Sequence, residues 1–149
     1  MSLDPAFVGH AYPRSEVYEV GRAKIREFAE AIGDDHPMYR DVAAAQAAGH
    51  PDVVAPPTFA TILFGRYAME DIVGDEKLGV DYGRLVHGDM KFTYARPVYA
   101  GDRLTVTTHI AEIDNRMGND FLTLRSEIDT EDGERVVTAF SQLVIRGEE

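Results

Sequence analysis

The feature that most constrains the fold of this chain is one long apolar segment, residues 59–73. Its sequence, FATILFGRYAMEDIV, is apolar over almost its whole length, and its two acidic residues, Glu70 and Asp71, lie near its end. A helix that is apolar nearly all round is a buried helix. In a chain of 149 residues, one buried helix implies that the remaining elements wrap around it.

Four candidate strands follow the apolar segment, and turn-forming residues separate them. The candidate strands are residues 84–98, 103–113, 121–129 and 135–145. Apolar and other side chains alternate clearly within residues 104–110 and 122–128. A run of strands after helical segments is typical of the α+β class. We therefore expect an antiparallel sheet that curves around the apolar helix.

The part of the chain before the apolar segment contains three further predicted elements. Residues 12–20 alternate weakly and predict a short strand. Residues 22–32 carry one apolar face at helical spacing, and the alanine-rich residues 42–48 predict a second, shorter helix. No repeat or linker interrupts the chain, so residues 1–149 are expected to form a single domain.

The formal net charge of −11 argues against a nucleic-acid partner, because such a surface repels phosphate. An anionic small molecule or protein would need a local basic patch. Seven cations could contribute to such a patch or could simply be solvated: Arg22, Lys24, Arg26, Arg84, Lys91, Arg96 and Arg103.

Several classes of site and location are not expected. Cysteine is absent, which excludes disulfides and thiol catalysis. His10, His50 and His109 show no spacing that suggests a metal site, so no metal and no cofactor is predicted. The N-terminus lacks the pattern of a signal peptide, and no stretch is suited to span a membrane. We therefore expect a cytoplasmic protein that does not bind membranes.

Three local motifs make the chain resemble the MaoC-like dehydratases and hydratases, which have the hot-dog fold. Residues 92–104, FTYARPVYAGDRL, resemble the family pattern F-x-x-P-V-x-x-G-D-x-L. Residues 33–39, GDDHPMY, resemble the active-site loop G-D-x-N-P-x-H, and residues 55–59, APPTF, stand where the family begins its central helix. The likeness is greatest to the N-terminal MaoC-like dehydratase group, which includes the substrate-holding subunits of heterodimeric (3R)-hydroxyacyl-carrier-protein dehydratases.

The resemblance implies a set of site residues. In active members an Asp and a His five residues later share the acid–base work on a 3-hydroxyacyl or 2-enoyl thioester. The Asp falls on Asp34, but the His falls on Tyr39, which is a poor base at neutral pH. His36 stands three residues earlier and is the only histidine in the loop. The candidate catalytic residues are therefore Asp34 and His36, in a site that Tyr39 makes degenerate.

The start of the central helix implies a second group of residues. In the family, free backbone N–H groups there bind the thioester oxygen, and here Thr58 and Phe59 carry such groups whereas Pro56 and Pro57 do not. Thr58 could equally be a plain N-cap. His87 lies on the strand that the resemblance places beside the substrate tunnel, so it is a further candidate for substrate binding.

Four hypotheses follow for function. We favour a dehydratase component that holds the acyl chain of an acyl-CoA or acyl-carrier-protein substrate and forms a heterodimer with a catalytic MaoC-type subunit. The alternatives are a homodimeric enoyl-CoA hydratase that uses Asp34 with His36, and a homodimer that binds acyl thioesters or lipids without catalysis. A hot-dog thioesterase is less favoured, because residues 58–68 contain no carboxylate.

Overall fold

The computed structural model describes residues 2–148, and its largest element is a five-stranded antiparallel sheet with the order β1-β3-β4-β5-β2. The strands are β1 Tyr18–Glu19, β2 Leu85–Tyr94, β3 Arg103–Arg116, β4 Asn119–Thr130 and β5 Arg135–Ile145. The four strands predicted after the apolar segment are confirmed. The largest difference is that β2 ends at Tyr94 rather than Val98, because the chain bends at Ala95 and Arg96.

The strand predicted for residues 12–20 is much shorter in the structure, because only β1 has regular strand pairing. The residues before β1 nevertheless run along β3. The N–H of Tyr12 donates to the carbonyl of Thr108 at 2.9 Å, and the N–H of Ser15 donates to the carbonyl of Val106 at 2.9 Å. The N-terminal segment thus covers one edge of the sheet, whereas β2 is the other edge strand.

Two helices precede the apolar segment, as predicted. Helix α1 is Arg22–Ala31 and helix α2 is Val42–Ala47. Asp41 is the N-cap of α2, because its carboxylate accepts the N–H groups of Ala43 and Ala44. Short 3₁₀ turns also occur at Pro5–Phe7, Pro37–Tyr39 and Tyr82–Arg84.

The apolar segment forms a continuous helix in three parts, which we call the central helix. Its parts are α3 Thr61–Leu63, a π-helical turn Phe64–Ala68, and α4 Met69–Gly74. It begins two residues later than the predicted start at residue 59, because a tight turn precedes it. In that turn the N–H of Phe59 donates to the carbonyl of Pro56 at 2.9 Å.

The central helix buries one face against the concave side of the sheet. The buried residues of this face are Leu63, Phe64, Tyr67, Ala68 and Ile72. The opposite face is exposed at Thr61, Gly65, Arg66, Glu70 and Val73. The prediction of a helix buried nearly all round was therefore wrong for this face. The sheet of one chain curls around only part of the helix circumference.

The sheet is curled, and irregular strand pairing contributes to its curvature. Register shifts occur between His87 and Asp89 in β2, and between Ile110 and Glu112 in β3. Such bulges bend a strand and increase its twist. The prediction of an α+β fold with a sheet around one helix is confirmed. No helix within residues 2–148 has both the length and the apolarity that crossing a membrane requires.

Candidate functional site

A cavity of about 440 Å³ lies between the loop after α1, the start of the central helix and the segment that leaves β2. Its apolar lining consists of Met38, Val54, Ala55, Pro57, Ala95, Pro97 and Val98. Polar side chains at its wall belong to Tyr39, His50, Tyr94 and Arg96. A mainly apolar cavity with few polar groups is the usual form of a site for a small organic ligand.

The loop after α1 is held by its own side chains. Gly33 adopts a left-handed conformation with φ of +74°, which ends α1. The carboxylate of Asp34 accepts the backbone N–H of His36 at 3.1 Å, and Nδ1 of His36 accepts the N–H of Met38 at 3.2 Å. Both predicted catalytic side chains therefore hydrogen-bond the backbone of their own loop rather than each other.

Two residues of this loop, Met38 and Tyr39, line the cavity, and Tyr39 is the polar one. Tyr39 is only 5% exposed, and its ring lies 5.9 Å from the ring of His36. Burial raises the pKa of Tyr39 above its usual value, and the negative charge of Asp34 raises this pKa further. The phenol therefore stays protonated at neutral pH, where it can donate a hydrogen bond but cannot act as a base.

The structure brings Asp34, His36 and Tyr39 into one loop but places only Tyr39 on the cavity wall. His36 is exposed, and Asp34 is half-buried. The catalytic roles predicted for Asp34 and His36 stay predictions, because the loop geometry is also that of an ordinary turn and helix cap.

Only one of the two free backbone N–H groups predicted at the start of the central helix is free in the structure. The N–H of Phe59 is engaged with Pro56, as described above, and the Phe59 side chain is fully buried with its ring 5.6 Å from that of Phe28. The prediction that the N–H of Phe59 is free was therefore wrong. Thr58 is exposed, and its N–H has no hydrogen-bond partner within residues 2–148. Of the two residues predicted to offer a backbone N–H there, Thr58 alone has one available.

His87 lies apart from the cavity. It is exposed on β2, beside the bulge at Gly88, and its ring packs edge-on against Phe64 at 5.5 Å. Its predicted role in substrate binding thus receives no support from the cavity lining.

Two polar residues of the cavity, His50 and Tyr94, were not among the predicted site residues. Nδ1 of His50 is 3.1 Å from the hydroxyl of Tyr99. The hydroxyl of Tyr94 donates to the carbonyl of Pro57, and burial raises the pKa of Tyr94 to about 12. Tyr94 stands inside the F-x-x-P-V motif, so that motif contained a signal for the cavity. The position of His50 depends on contacts distant in sequence, which no local pattern reveals.

A charge network supports the side of the cavity formed by residues 95–102. The Arg96 guanidinium donates to both carboxylate oxygens of Asp102, at 2.9 and 3.0 Å, and to Glu134 at 2.8 Å. The Asp102 carboxylate also accepts the N–H of Tyr99 at 2.8 Å. Arg96 is therefore neutralised by protein groups, and its role is to fix the wall rather than to offer a free charge.

Most of the seven candidate cations for an anionic partner are also paired with carboxylates. Ion pairs within 4 Å join Arg22 to Asp52, Lys24 to Glu27, Arg84 to Asp81 and Glu148, Arg96 to Asp102 and Glu134, and Arg103 to Glu19 and Glu131. Within the described part of the chain, Arg26 and Lys91 form no such pair. Among the seven candidates, these two are therefore left to attract an anion.

The arrangement suits binding better than acid–base chemistry. The cavity offers an apolar wall, a protonated phenol at Tyr39 and an imidazole at His50. Within residues 2–148, no cluster of three or more His, Cys, Asp or Glu side chains could hold a metal ion.

Comparison with known proteins identifies the family. Residues 6–139 match the profile described as the FAS1-like, dehydratase domain region. The chain is 56% identical to a UPF0336 protein of Streptomyces coelicolor over 149 residues, which is 100% of this chain and 99% of that protein.

Solved structures show the same likeness in three dimensions. A chain of the HadBC (3R-hydroxyacyl-ACP dehydratase) complex from Mycobacterium tuberculosis aligns with a TM-score of 0.85 and 32% identity, over 97% of this chain and 99% of that one. A MaoC-like dehydratase aligns with a TM-score of 0.84 and 34% identity, over 95% of this chain and 43% of that one. The predicted hot-dog fold is thereby confirmed, and the chain belongs to the FAS1-like dehydratase-region family of MaoC-like hot-dog proteins.

Proposed function

We propose that this chain is the subunit of a (3R)-3-hydroxyacyl-thioester dehydratase, or of the reverse-acting enoyl-thioester hydratase, that holds the acyl chain. The observation that carries the proposal is the apolar cavity whose wall includes Tyr39 at the position of the family histidine. A cavity with this lining suits a hydrocarbon chain, because burying apolar surface is favourable. The proposed chemistry requires no cofactor.

The proposed reaction needs groups that this cavity lacks. Dehydration breaks the C2–H and C3–O bonds, so a base must accept the C2 proton and an acid must protonate the departing hydroxyl. A phenol with a raised pKa, such as Tyr39, is unsuited to the role of base at neutral pH. The side chains of Asp34 and His36 are engaged in their own loop. The acid–base pair is therefore assigned to a partner subunit.

Two exposed surfaces are suited to such a partner. Strand β2 is an edge strand, and an edge strand presents backbone N–H and C=O groups that another strand can pair with. The exposed face of the central helix, with Gly65 and Val73, is also available. The HadBC structure is itself a complex. By analogy, we place a catalytic MaoC-type subunit against this side of the chain.

The start of the central helix supplies a place for the thioester group. The N–H of Thr58 has no partner within the described residues, and it lies next to Pro57 of the cavity lining. A backbone N–H near a helix start favours negative charge, which develops on the thioester oxygen during the reaction. In this arrangement the carbonyl lies at Thr58 and the hydrocarbon chain enters the cavity.

The carrier of the thioester is coenzyme A or an acyl carrier protein, and both are anionic. With a net charge of −11, the chain as a whole repels such a carrier. Arg26 and Lys91, which form no ion pair within residues 2–148, supply little compensation. Basic residues on the partner subunit would therefore bind most of the carrier's phosphate or acidic groups. Both carriers are cytoplasmic, and the proposal includes that location.

The test is hydration of crotonyl-CoA and of a longer enoyl-CoA, followed by the loss of enoyl absorbance. The purified chain is assayed alone and together with a candidate MaoC-type partner that retains the Asp and His of the family motif. We expect no turnover by the chain alone. With the longer substrate, we expect the pair to turn over faster than the partner alone. Turnover by the chain alone would establish the self-sufficient hydratase, and binding without turnover in either setting would establish the non-catalytic binding protein.

A further inference from the structure

His50 is held at the cavity wall by the end of helix α2. Gly49 adopts a left-handed conformation with φ of +92°, which ends the helix. The next N–H, that of His50, donates to the carbonyl of Ala45 at 3.0 Å. This helix-terminal turn fixes the backbone from which the His50 side chain extends to the cavity.

The imidazole ring of His50 is also held from its far side. Its Nδ1 atom is 3.1 Å from the hydroxyl of Tyr99. Tyr99 is itself fixed, because its N–H donates to Asp102 and the guanidinium of Arg96 lies 5.8 Å from the centre of its ring. The Arg96–Asp102 ion pair therefore positions His50 through Tyr99. A group held in this way loses little conformational freedom when it binds a ligand.

The second ring nitrogen of His50, Nε2, has no hydrogen-bond partner within residues 2–148. A phenol hydroxyl can donate to Nδ1 or accept from it, so Nε2 can present either a proton or a lone pair. A ligand hydroxyl can satisfy Nε2 in both tautomers, because it both donates and accepts. A ligand carbonyl can satisfy only the protonated form, and a methylene group can satisfy neither.

Tyr39 supplies a second polar group to the same cavity. Its hydroxyl has no hydrogen-bond partner within the described residues, although the side chain is only 5% exposed. The phenol stays protonated, as shown above, so it offers a fixed O–H donor. Two polar groups without protein partners in a mainly apolar lining favour a ligand that can hydrogen-bond them.

We propose that His50 and Tyr39 bind a hydroxyl group carried by the acyl chain, so that this subunit selects hydroxyacyl over plain acyl thioesters. The inference rests on the proposed function, since it assumes that the cavity holds an acyl chain. It goes further by naming the two side chains that determine specificity and the chemical group that they recognise. Both act in binding and neither removes a proton from the substrate.

The test compares matched pairs of coenzyme A thioesters by isothermal titration calorimetry. The pairs are butyryl-CoA with (R)-3-hydroxybutyryl-CoA, and hexanoyl-CoA with 6-hydroxyhexanoyl-CoA, which place the hydroxyl near to and far from the thioester. The full chain is titrated alone and in complex with a partner whose catalytic Asp is replaced by Asn. We expect the hydroxy member of at least one pair to bind about tenfold more tightly, which corresponds to one or two hydrogen bonds.

Variants of the two side chains connect that preference to its cause. His50→Phe and Tyr39→Phe keep an aromatic ring and remove one hydrogen-bonding group each, so each is expected to reduce the preference for the hydroxy member severalfold. His50→Gln retains a polar group at the end of the side chain and is expected to restore part of the preference. His10→Phe, in an exposed histidine that does not line the cavity, is the matched control. Circular dichroism spectra and melting temperatures verify that each variant folds.

Each outcome decides between the two proposals. Binding of all four thioesters without a hydroxyl preference, or a preference that survives in both phenylalanine variants, overturns this inference and leaves the acyl-holding function standing. No binding of any thioester, alone or in the complex, contradicts the proposed function and this inference with it.

Discussion

The Arg96 guanidinium and the Asp102 carboxylate form a bidentate ion pair, with N···O distances of 2.9 and 3.0 Å. The pair joins the segment that leaves β2 to the turn that enters β3. Its side chains are 25% and 15% exposed, so solvent screens it only in part. It also holds the N–H of Tyr99, and through Tyr99 it orients His50.

Replacing Asp102 with Asn should therefore affect both stability and binding. The variant loses the charge that neutralises Arg96 and at least one hydrogen bond. We expect it to lower the free energy of unfolding by about 2 kcal/mol, a typical cost for breaking a partly buried charged interaction. Urea denaturation measures this change. Asp132→Asn, at an exposed turn position outside the ion pairs of the described chain, is the control. An unchanged midpoint for Asp102→Asn would show that the pair does not stabilise the wall.

Phe59 is a core residue in this structure, and its removal should act on folding before it acts on binding. The side chain is fully buried and packs edge-on against Phe28. Phe59→Ala is expected to cost about 3–5 kcal/mol of stability, the usual range for deleting a buried aromatic ring. Phe59→Leu, which keeps most of the volume, should cost much less. A normal melting temperature for Phe59→Ala combined with lost thioester binding would instead favour direct contact with the ligand.

Tyr94 should make the protein sensitive to alkaline pH. Its pKa is raised to about 12 in the folded state from the usual value near 10, because burial disfavours the phenolate. Its contribution is therefore present in full below pH 10 and is lost as the pH rises through about 12. The urea midpoint of the wild type should fall more steeply from pH 9 to pH 11.5 than that of Tyr94→Phe. Parallel pH profiles for the two proteins would contradict this assignment.

The edge strand β2 gives a prediction about assembly. Val86 is 42% exposed on this strand, whereas Met117 is fully exposed at the tip of the β3–β4 hairpin. If the partner pairs along β2, Val86→Lys should weaken the complex at least tenfold, because it places a charge against the partner. Met117→Lys should leave the complex intact. Sedimentation velocity over a concentration series measures both, and equal effects of the two changes would rule out β2 as the contact.

The fold was largely predictable from sequence because strands and helices have local signatures. The alternation of residues 104–110 and 122–128 predicted β3 and β4. The turn-forming residues between the strands predicted where one strand ends and the next begins. The late start of the central helix depends on the carbonyl of Pro56 accepting the N–H of Phe59, and its π-helical turn was not predicted at all. The prediction that residues 1–149 form a single domain stays a prediction.

The candidate site was less predictable than the fold. The motif of residues 33–39 predicted a site in the loop that contains Tyr39, and the structure places this residue at the cavity. His50 and Tyr99 are 49 positions apart in sequence, so their contact follows only from the packing of α2 against the segment after β2. Asp34 and His36 have the residue types of an acid–base pair, but their hydrogen bonds are those of a turn.

Substitutions of Asp34 and His36 test directly which subunit supplies the acid and the base. Asp34→Asn and His36→Ala are each expected to leave the turnover of the reconstituted pair within about twofold of wild type, since a turn residue outside the cavity lining contributes little once the fold is kept. The matched changes in the partner's Asp and His should reduce turnover by a factor of about 100 or more, the scale of general acid–base catalysis.

In the proposed enzyme, this chain holds the acyl group while another subunit supplies the acid and the base. The most direct measurement is the hydration rate of a long enoyl-CoA by the purified chain alone, by the MaoC-type partner alone, and by the two together. We expect no turnover by this chain and a rate for the pair well above that of the partner. Turnover by this chain alone that disappears in Asp34→Asn or His36→Ala would contradict this expectation and would identify a self-sufficient hydratase.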